Sequence, residues 1–222
     1  MFGNRKILYA AGLLIGVAYC TLSFLQGVAF TADSPGYIAF APVRSAGYPL
    51  YLASFGVTMA VRLQPVLYVA ALAVLWREMS VILGGVVWPS IFAVLCLINP
   101  EVNSYHSVVM TESLFMSVCM LGMASALRFL HKPSPGAAIL TSVFTGLSAI
   151  VRPSAYALLP ILLLMVLFRW QVLERRRTAF LAAALLPAVI LCAGERIGTQ
   201  AYHGAAATKA CLHSPAKGFP NQ

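Results

Sequence analysis

Between Ile7 and Ala29 the chain carries no charged residue. A helix that crosses a bilayer needs about 20 mostly apolar residues, because each adds about 1.5 Å across a hydrocarbon core about 30 Å thick. The run is longer than the ~7–15-residue apolar region of a cleaved secretory signal, and Arg5 and Lys6 stand before it. Lys and Arg collect on the cytoplasmic flank of such segments. The expectation is therefore an uncleaved signal-anchor helix with a cytoplasmic N-terminus, and Asp33 emerges on the outer face.

The rest of the chain repeats this character. It is 60% hydrophobic and 9% charged, whereas soluble domains carry about 25% charged residues. A soluble core of this size cannot hide so much apolar surface. The fold class expected is all-α, a polytopic protein with membrane lipids as its solvent. The net charge of +9 does not come from a basic run interleaved with aromatic residues, so nucleic acid is not an expected partner. It reads instead as cytoplasmic anchoring. Cys20, Cys96, Cys119 and Cys192 lie inside apolar runs and Cys211 lies in the tail, with no CxxC pair. They read as small buried hydrophobes, not as a disulfide framework or a zinc site.

Residues 31–49 form the first polar segment, broken by Pro35-Gly36, Pro42, Gly47 and Pro49. Tyr37, Phe40, Tyr48 and Tyr51 suit the headgroup level. Residues 50–59 are apolar but too short to cross, and are expected to lie at the interface. Further spans are expected from Arg62 to about Leu75, from Val81 to Ile98 and from Val108 to Leu130. Residues 99–106 form a second outer loop between the last two. Glu112 stands one turn inside the outer end of the last of these, and Arg128, His131 and Lys132 mark its cytoplasmic exit. Ala137 to Trp170 is too long for one straight span, has Arg152-Pro153 near its middle and is basic at both ends. It is expected to be a helical hairpin with Arg152 at its outer turn, since a residue before proline is biased out of the helical region. A last span runs from Thr178 to Ala193. Seven spans result, with residues 1–198 as one membrane module and 199–222 as a polar outer tail, the remainder of a longer protein.

This topology brings Asp33, Arg44, Glu112 and Arg152 to the outer surface. Charged groups at that depth face a cavity or pair with one another. Such a set suits group transfer from a phosphate-linked donor. Asp33 is the candidate catalytic general base. An arginine, Arg44 or Arg152, holds the donor phosphate and offsets its developing charge. Glu112 orients a substrate hydroxyl or holds a divalent metal, and His106 is a further substrate-binding candidate. Plainer readings stand beside these. Asp33 can be an interface residue, Glu112 a first-turn acid favoured by the helix dipole, Arg44 a snorkelling cation and Arg152 a partner for carbonyls at a turn. There is no Gly-rich nucleotide cradle, HExxH or GxSxG, which argues for a lipid-linked substrate over ATP or a soluble nucleotide sugar.

The order of these pieces resembles the C-type, membrane-embedded glycosyltransferases, which include the protein O-mannosyltransferases and the aminoarabinose transferases of lipid A. The matching pieces are the signal-anchor helix, the outer loop with Asp33, Arg44-Ser-Ala-Gly-Tyr-Pro49, Arg62-Leu-Gln64, Thr111-Glu-Ser-Leu-Phe115 and Gly146-Leu-Ser-Ala-Ile-Val-Arg-Pro153. The resemblance covers residues 7–198. It implies inverting transfer of a sugar from a polyprenyl-phosphate donor to a lipid, glycan or protein acceptor, at the outer face of a bacterial plasma (inner) membrane. Many members carry a second acid beside the first-loop Asp, where this chain has Ala32 and Ser34. The family also has more spans, so the chain corresponds to its N-terminal module. The rival readings are a transporter or flippase with Glu112 and Arg152 lining its path, and a non-catalytic membrane partner of a larger enzyme.

Overall fold

The computed structural model describes residues 3–42, 44–173 and 177–213, and the side chains of residues 10–42, 44–171, 173 and 177–204. Arg175, Arg176 and the tail from residue 214 lie outside the described residues, as do the side chains of Arg5 and Lys6. The protein is all-helical, with no strand among the described residues. The helices are α1 (Gly3–Leu25), α2 (Ser34–Ile38), α3 (Gly47–Phe55), α4 (Val57–Ile82), α5 (Val87–Ile98), α6 (Pro100–Tyr105), α7 (Thr111–His131) and α8 (Pro135–Val151). A 3-10 turn (Pro153–Leu158), α9 (Leu159–Phe168), α10 (Trp170–Leu173) and α11 (Arg177–His213) complete the chain.

Three helices are long and apolar enough to cross a membrane: Val57–Ile82, Thr111–His131 and the Arg177–Gly204 part of α11. Shorter apolar helices cover Ala10–Leu25, Val87–Ile98, Pro135–Val151 and Pro153–Phe168. In lipid, an α-helix is the open segment that satisfies all its own backbone polar groups, so long apolar runs leave the chain little other choice.

Turn chemistry sets the boundaries. Asn99 caps α6, its side chain accepting from the N–H groups of Glu101 at 3.0 Å and Val102 at 3.3 Å. Ser134 caps α8 through the Ala137 N–H, with Pro135 in the first turn. Gly56 takes φ 74°, a conformation that costs glycine little, and divides α3 from α4. The stretch 50–59 is therefore shared between two helices. The span expected from Arg62 to Leu75 is longer at both ends, because neither Arg62 nor Trp76-Arg77-Glu78 interrupts α4. Glu78 is buried and paired with Arg77 at 2.9 Å. The stretch expected as one span from Val81 to Ile98 is instead broken over residues 83–86, where Gly84 takes φ 64°. The residue expected to turn the 137–170 hairpin, Arg152, is extended (φ −143°, ψ 117°) between α8 and the 3-10 turn, as a residue before proline must tend to be.

Two apolar clusters give the bundle its ends. One joins Tyr48, Leu52, Ala60, Val61, Val109, Leu114 and Val151, which are α3, the start of α4, the start of α7 and the end of α8. The other joins Phe129, Ala137, Met165, Val166, Leu173, Phe180 and Ala184, which are the end of α7, the start of α8, the end of α9, α10 and the start of α11. Successive helices α7, α8, α9 and α11 thus alternate in direction, and packing runs α1, α4, α7, α8, α11. The second end carries Arg77 with Glu78, and Arg128, His131, Lys132, Arg169 and Arg177. The first carries Asp33, Arg44, Glu101, Glu112, Arg152, Glu195 and Arg196.

α8 and α11 pack backbone to backbone. α8 buries Ala138, Thr141, Ser142, Thr145, Gly146 and Ala149, and small residues let helix backbones approach. A Cβ on Gly146 would stand 2.9 Å from Ala188 Cα. The Ala188 N–H, just past Pro187 in α11, donates to Ser142 Oγ at 3.0 Å.

Candidate functional site

The segment 29–49 is tied down along its length at the mixed-charge end. The Ala29 N–H donates to Ser107 O at 2.7 Å and the Val109 N–H to Ala29 O at 3.1 Å, an isolated parallel bridge between the segment after α1 and the segment before α7. Ser34 is fully buried and donates to Val109 O at 3.0 Å. Phe40 takes a left-handed φ of 47°, reversing the chain after α2. Ser45 Oγ donates to Val151 O at 3.0 Å. The Ala46 N–H at the start of α3 donates to Glu195 Oε1 of α11 at 3.0 Å. Gly47 lies so close to α8 that a Cβ there would meet Ile150 O at 2.6 Å, so glycine is required by proximity.

This anchoring sets the four charged candidates into two ion pairs. Asp33 accepts from Arg44 Nη2 at 2.5 Å. Arg44 also donates to the Tyr37 hydroxyl at 3.1 Å, with its guanidinium carbon 4.5 Å from the Tyr37 ring centre. Glu112 accepts from Arg152 Nη1 at 3.1 Å and from the Thr111 hydroxyl at 3.3 Å. The Arg152 guanidinium lies 5.8 Å from the Phe115 ring. The Asp33 side chain is 53% exposed, while that of Glu112 is 18% exposed. Asp33 is open to an incoming group and Glu112 is largely enclosed.

The pairs stand on segments that touch. Ser45, next to Arg44, bonds Val151, next to Arg152. Ser34, next to Asp33, bonds Val109, at the entry to α7 and Glu112. Tyr105 closes the set from α6. It donates to Glu101 at 2.9 Å, and that carboxylate, with Glu112 adding and Arg152 opposing, pushes the phenol pKa up. Asp33 and Glu112 are thus each matched with an arginine. The four groups form two adjoining neutral pairs, and none stands as an uncompensated charge.

His106 is placed elsewhere. It is 1% exposed, with its ring 4.6 Å from Tyr68 and 5.6 Å from Tyr19. Its Nδ1 pairs with Ser113 Oγ at 2.6 Å and its Nε2 has no protein partner. Burial pushes its pKa down to about 4. Among the described residues no three His, Cys, Asp or Glu side chains gather as a metal site. Glu112, already taken by Arg152, is a single donor, so the side chains here do not form a metal cage.

Sequence reasoning missed Glu195 and Gln64. The sequence places Glu195 outside, just beyond the last expected span, and assigns it no role. Its role depends on α11 returning to the mixed-charge end and was not visible in local pattern. Gln64 is fully buried and donates to the Tyr48 hydroxyl at 2.8 Å. Its signals were a lone amide in an apolar run and its place in the Arg62-Leu-Gln64 piece of the resemblance. Compared with protein-family models, with curated proteins and with solved structures, the chain matches none.

Proposed function

We propose that this is a multi-pass membrane protein that transfers a sugar from a polyprenyl-phosphate-linked donor to a lipid, glycan or protein acceptor. The observation that carries the reading is the junction of the Asp33–Arg44 and Glu112–Arg152 pairs, held by Ser45–Val151 and Ser34–Val109 at one end of the bundle. That end offers an exposed carboxylate beside two guanidinium groups that can bind phosphate.

In this reading Asp33 takes the proton of the acceptor hydroxyl as its oxygen bonds to the anomeric carbon. The bond from that carbon to the donor phosphate breaks, and the phosphate leaves with the electron pair. A guanidinium facing that phosphate stabilises its charge, since planar forked donors match its oxygens. Arg44 keeps Asp33 oriented through its 2.5 Å contact. The three long and four shorter apolar helices make up seven crossings. The N-terminus and the basic end lie in the cytoplasm, and the mixed-charge end lies outside a bacterial plasma membrane.

The test supplies membranes containing the chain with polyprenyl-phosphate sugars and compares wild type with Asp33→Asn. General-base catalysis is worth about 10²–10⁴-fold, and a loss of that size is expected with the donor still bound. Transfer untouched by the substitution removes Asp33 as base. Solute uptake that needs Glu112, without sugar transfer, replaces the reading with a transporter.

A further inference from the structure

Away from both ion pairs, α1 and α4 enclose a wedge. They touch where a Cβ on Gly16 would stand 2.8 Å from Val69 Cγ1 and where the Tyr19 ring stacks on Tyr68 at 6.2 Å. Toward the mixed-charge end, near the last residue of α1, Leu25, the two helices leave an opening. The opening is a cavity of ≈ 400 Å³ lined by Phe24, Met59, Arg62, Leu63 and Val66. Small-molecule sites run from about 300 to 1,000 Å³. Four of the five lining side chains are apolar, and Phe24, Met59 and Val66 are each more than 40% exposed.

The fifth is Arg62. Arg44, Arg77 and Arg152 each hold a carboxylate, and Arg62 forms no ion pair among the described residues. It sits in the second turn of α4, near the mixed-charge end. At that depth a guanidinium reaches the headgroup level while its stem lies along apolar surface. An unpaired cation above an apolar cleft is the mould of an amphiphile with an anionic head. A single guanidinium matches the single charge of a phosphodiester. No second cation lines the cavity to meet a doubly charged phosphomonoester.

We infer that this wedge is a site for an anionic glycerophospholipid, with one acyl chain between α1 and α4 and its phosphodiester on Arg62. The site rests on the membrane reading alone and not on sugar transfer. It joins α1 to a bundle that α1 otherwise meets chiefly along α4.

The test is native mass spectrometry of the full chain, purified in mild detergent and offered phosphatidylglycerol, phosphatidylcholine or a polyprenyl phosphate. Phosphatidylglycerol is expected to be retained about fivefold better than phosphatidylcholine, the size of one cation's attraction to an anionic headgroup. Arg62→Gln abolishes that preference and Arg62→Lys keeps part of it. Val66→Trp, which fills the cleft, weakens retention of every lipid. Both positions are exposed, and near-UV circular dichroism checks that the variants fold. Equal retention by Arg62→Gln, equal retention of phosphatidylcholine, or preference for the polyprenyl phosphate each overturns the site. A chain released from membranes by alkaline carbonate overturns the membrane reading itself, a separate outcome.

Discussion

At the scale of single residues, His106 and Gly47 show how a position acquires its meaning from neighbours. His106 is buried against two tyrosines, and burial lowers its pKa from 6.5 to about 4. A depressed pKa means that the unfolded chain takes up the proton first. Above pH 6.5 the group is neutral in both states and has no effect. As pH falls from 6.5 to about 4 the unfolded state gains a proton that the fold refuses, costing up to about 3 kcal/mol at ~1.4 kcal/mol per unit. Thermal unfolding in detergent is expected to lose stability over that window in wild type and to show a shallower slope in His106→Gln. Equal slopes would mean that the imidazole is not enclosed. Gly47→Ala drives a methyl group into Ile150 O, 2.6 Å from the ideal Cβ, and Val151 N, 2.9 Å away. Backbone atoms cannot step aside as a side-chain tip can, so a loss of about 1–3 kcal/mol is expected, read as a lower Tm.

At the scale of elements, the α8–α11 pair is held by closeness more than by apolar area. Gly146 and Ser142 lie one turn apart on α8, and both meet α11 at Ala188. Gly146→Leu is expected to separate the helices and to lower the detergent unfolding temperature by more than Ser142→Ala. The latter forfeits one hydrogen bond, about 1 kcal/mol. A Leu tolerated at 146 without change in Tm would show that the helices do not meet there. α11 also presents Glu195 to the Ala46 N–H. Loosening α8 from α11 therefore reaches the segment that carries Arg44.

At the scale of the whole molecule, the two ends differ in charge. Ser104 and Lys132 are exposed and lie at opposite ends. In a background without native cysteines, a membrane-impermeant maleimide added to intact cells is expected to label Ser104→Cys and not Lys132→Cys. Labelling of both, or of Lys132→Cys alone, would invert or dissolve the proposed orientation.

Much of the architecture was legible because helices are local. Hydrogen bonds four residues apart, apolar runs and breakers such as Gly84 and Arg152-Pro153 act within a few residues. The all-α class, the polar breaks and the turn at Arg152 follow from them. Lengths were less legible: α4 runs through Arg62 and Arg77, because single charges do not end a helix, and α5 is cut short by the break at Gly84. The site was legible as a set of residue types. Its pairing was not, since Glu112 meets Arg152 across 40 residues and Ala46 meets Glu195 across 149. By itself the sequence determined that Asp33, Arg44, Glu112 and Arg152 stand near one end. Only the tertiary structure decided that they neutralise one another in pairs, Glu112 with Arg152 through the packing of α7 on α8, that His106 turns inward against Tyr19 and Tyr68, and that Arg62 is left without an acid. Such matches depend on distances through space, which residue spacing along the chain does not encode.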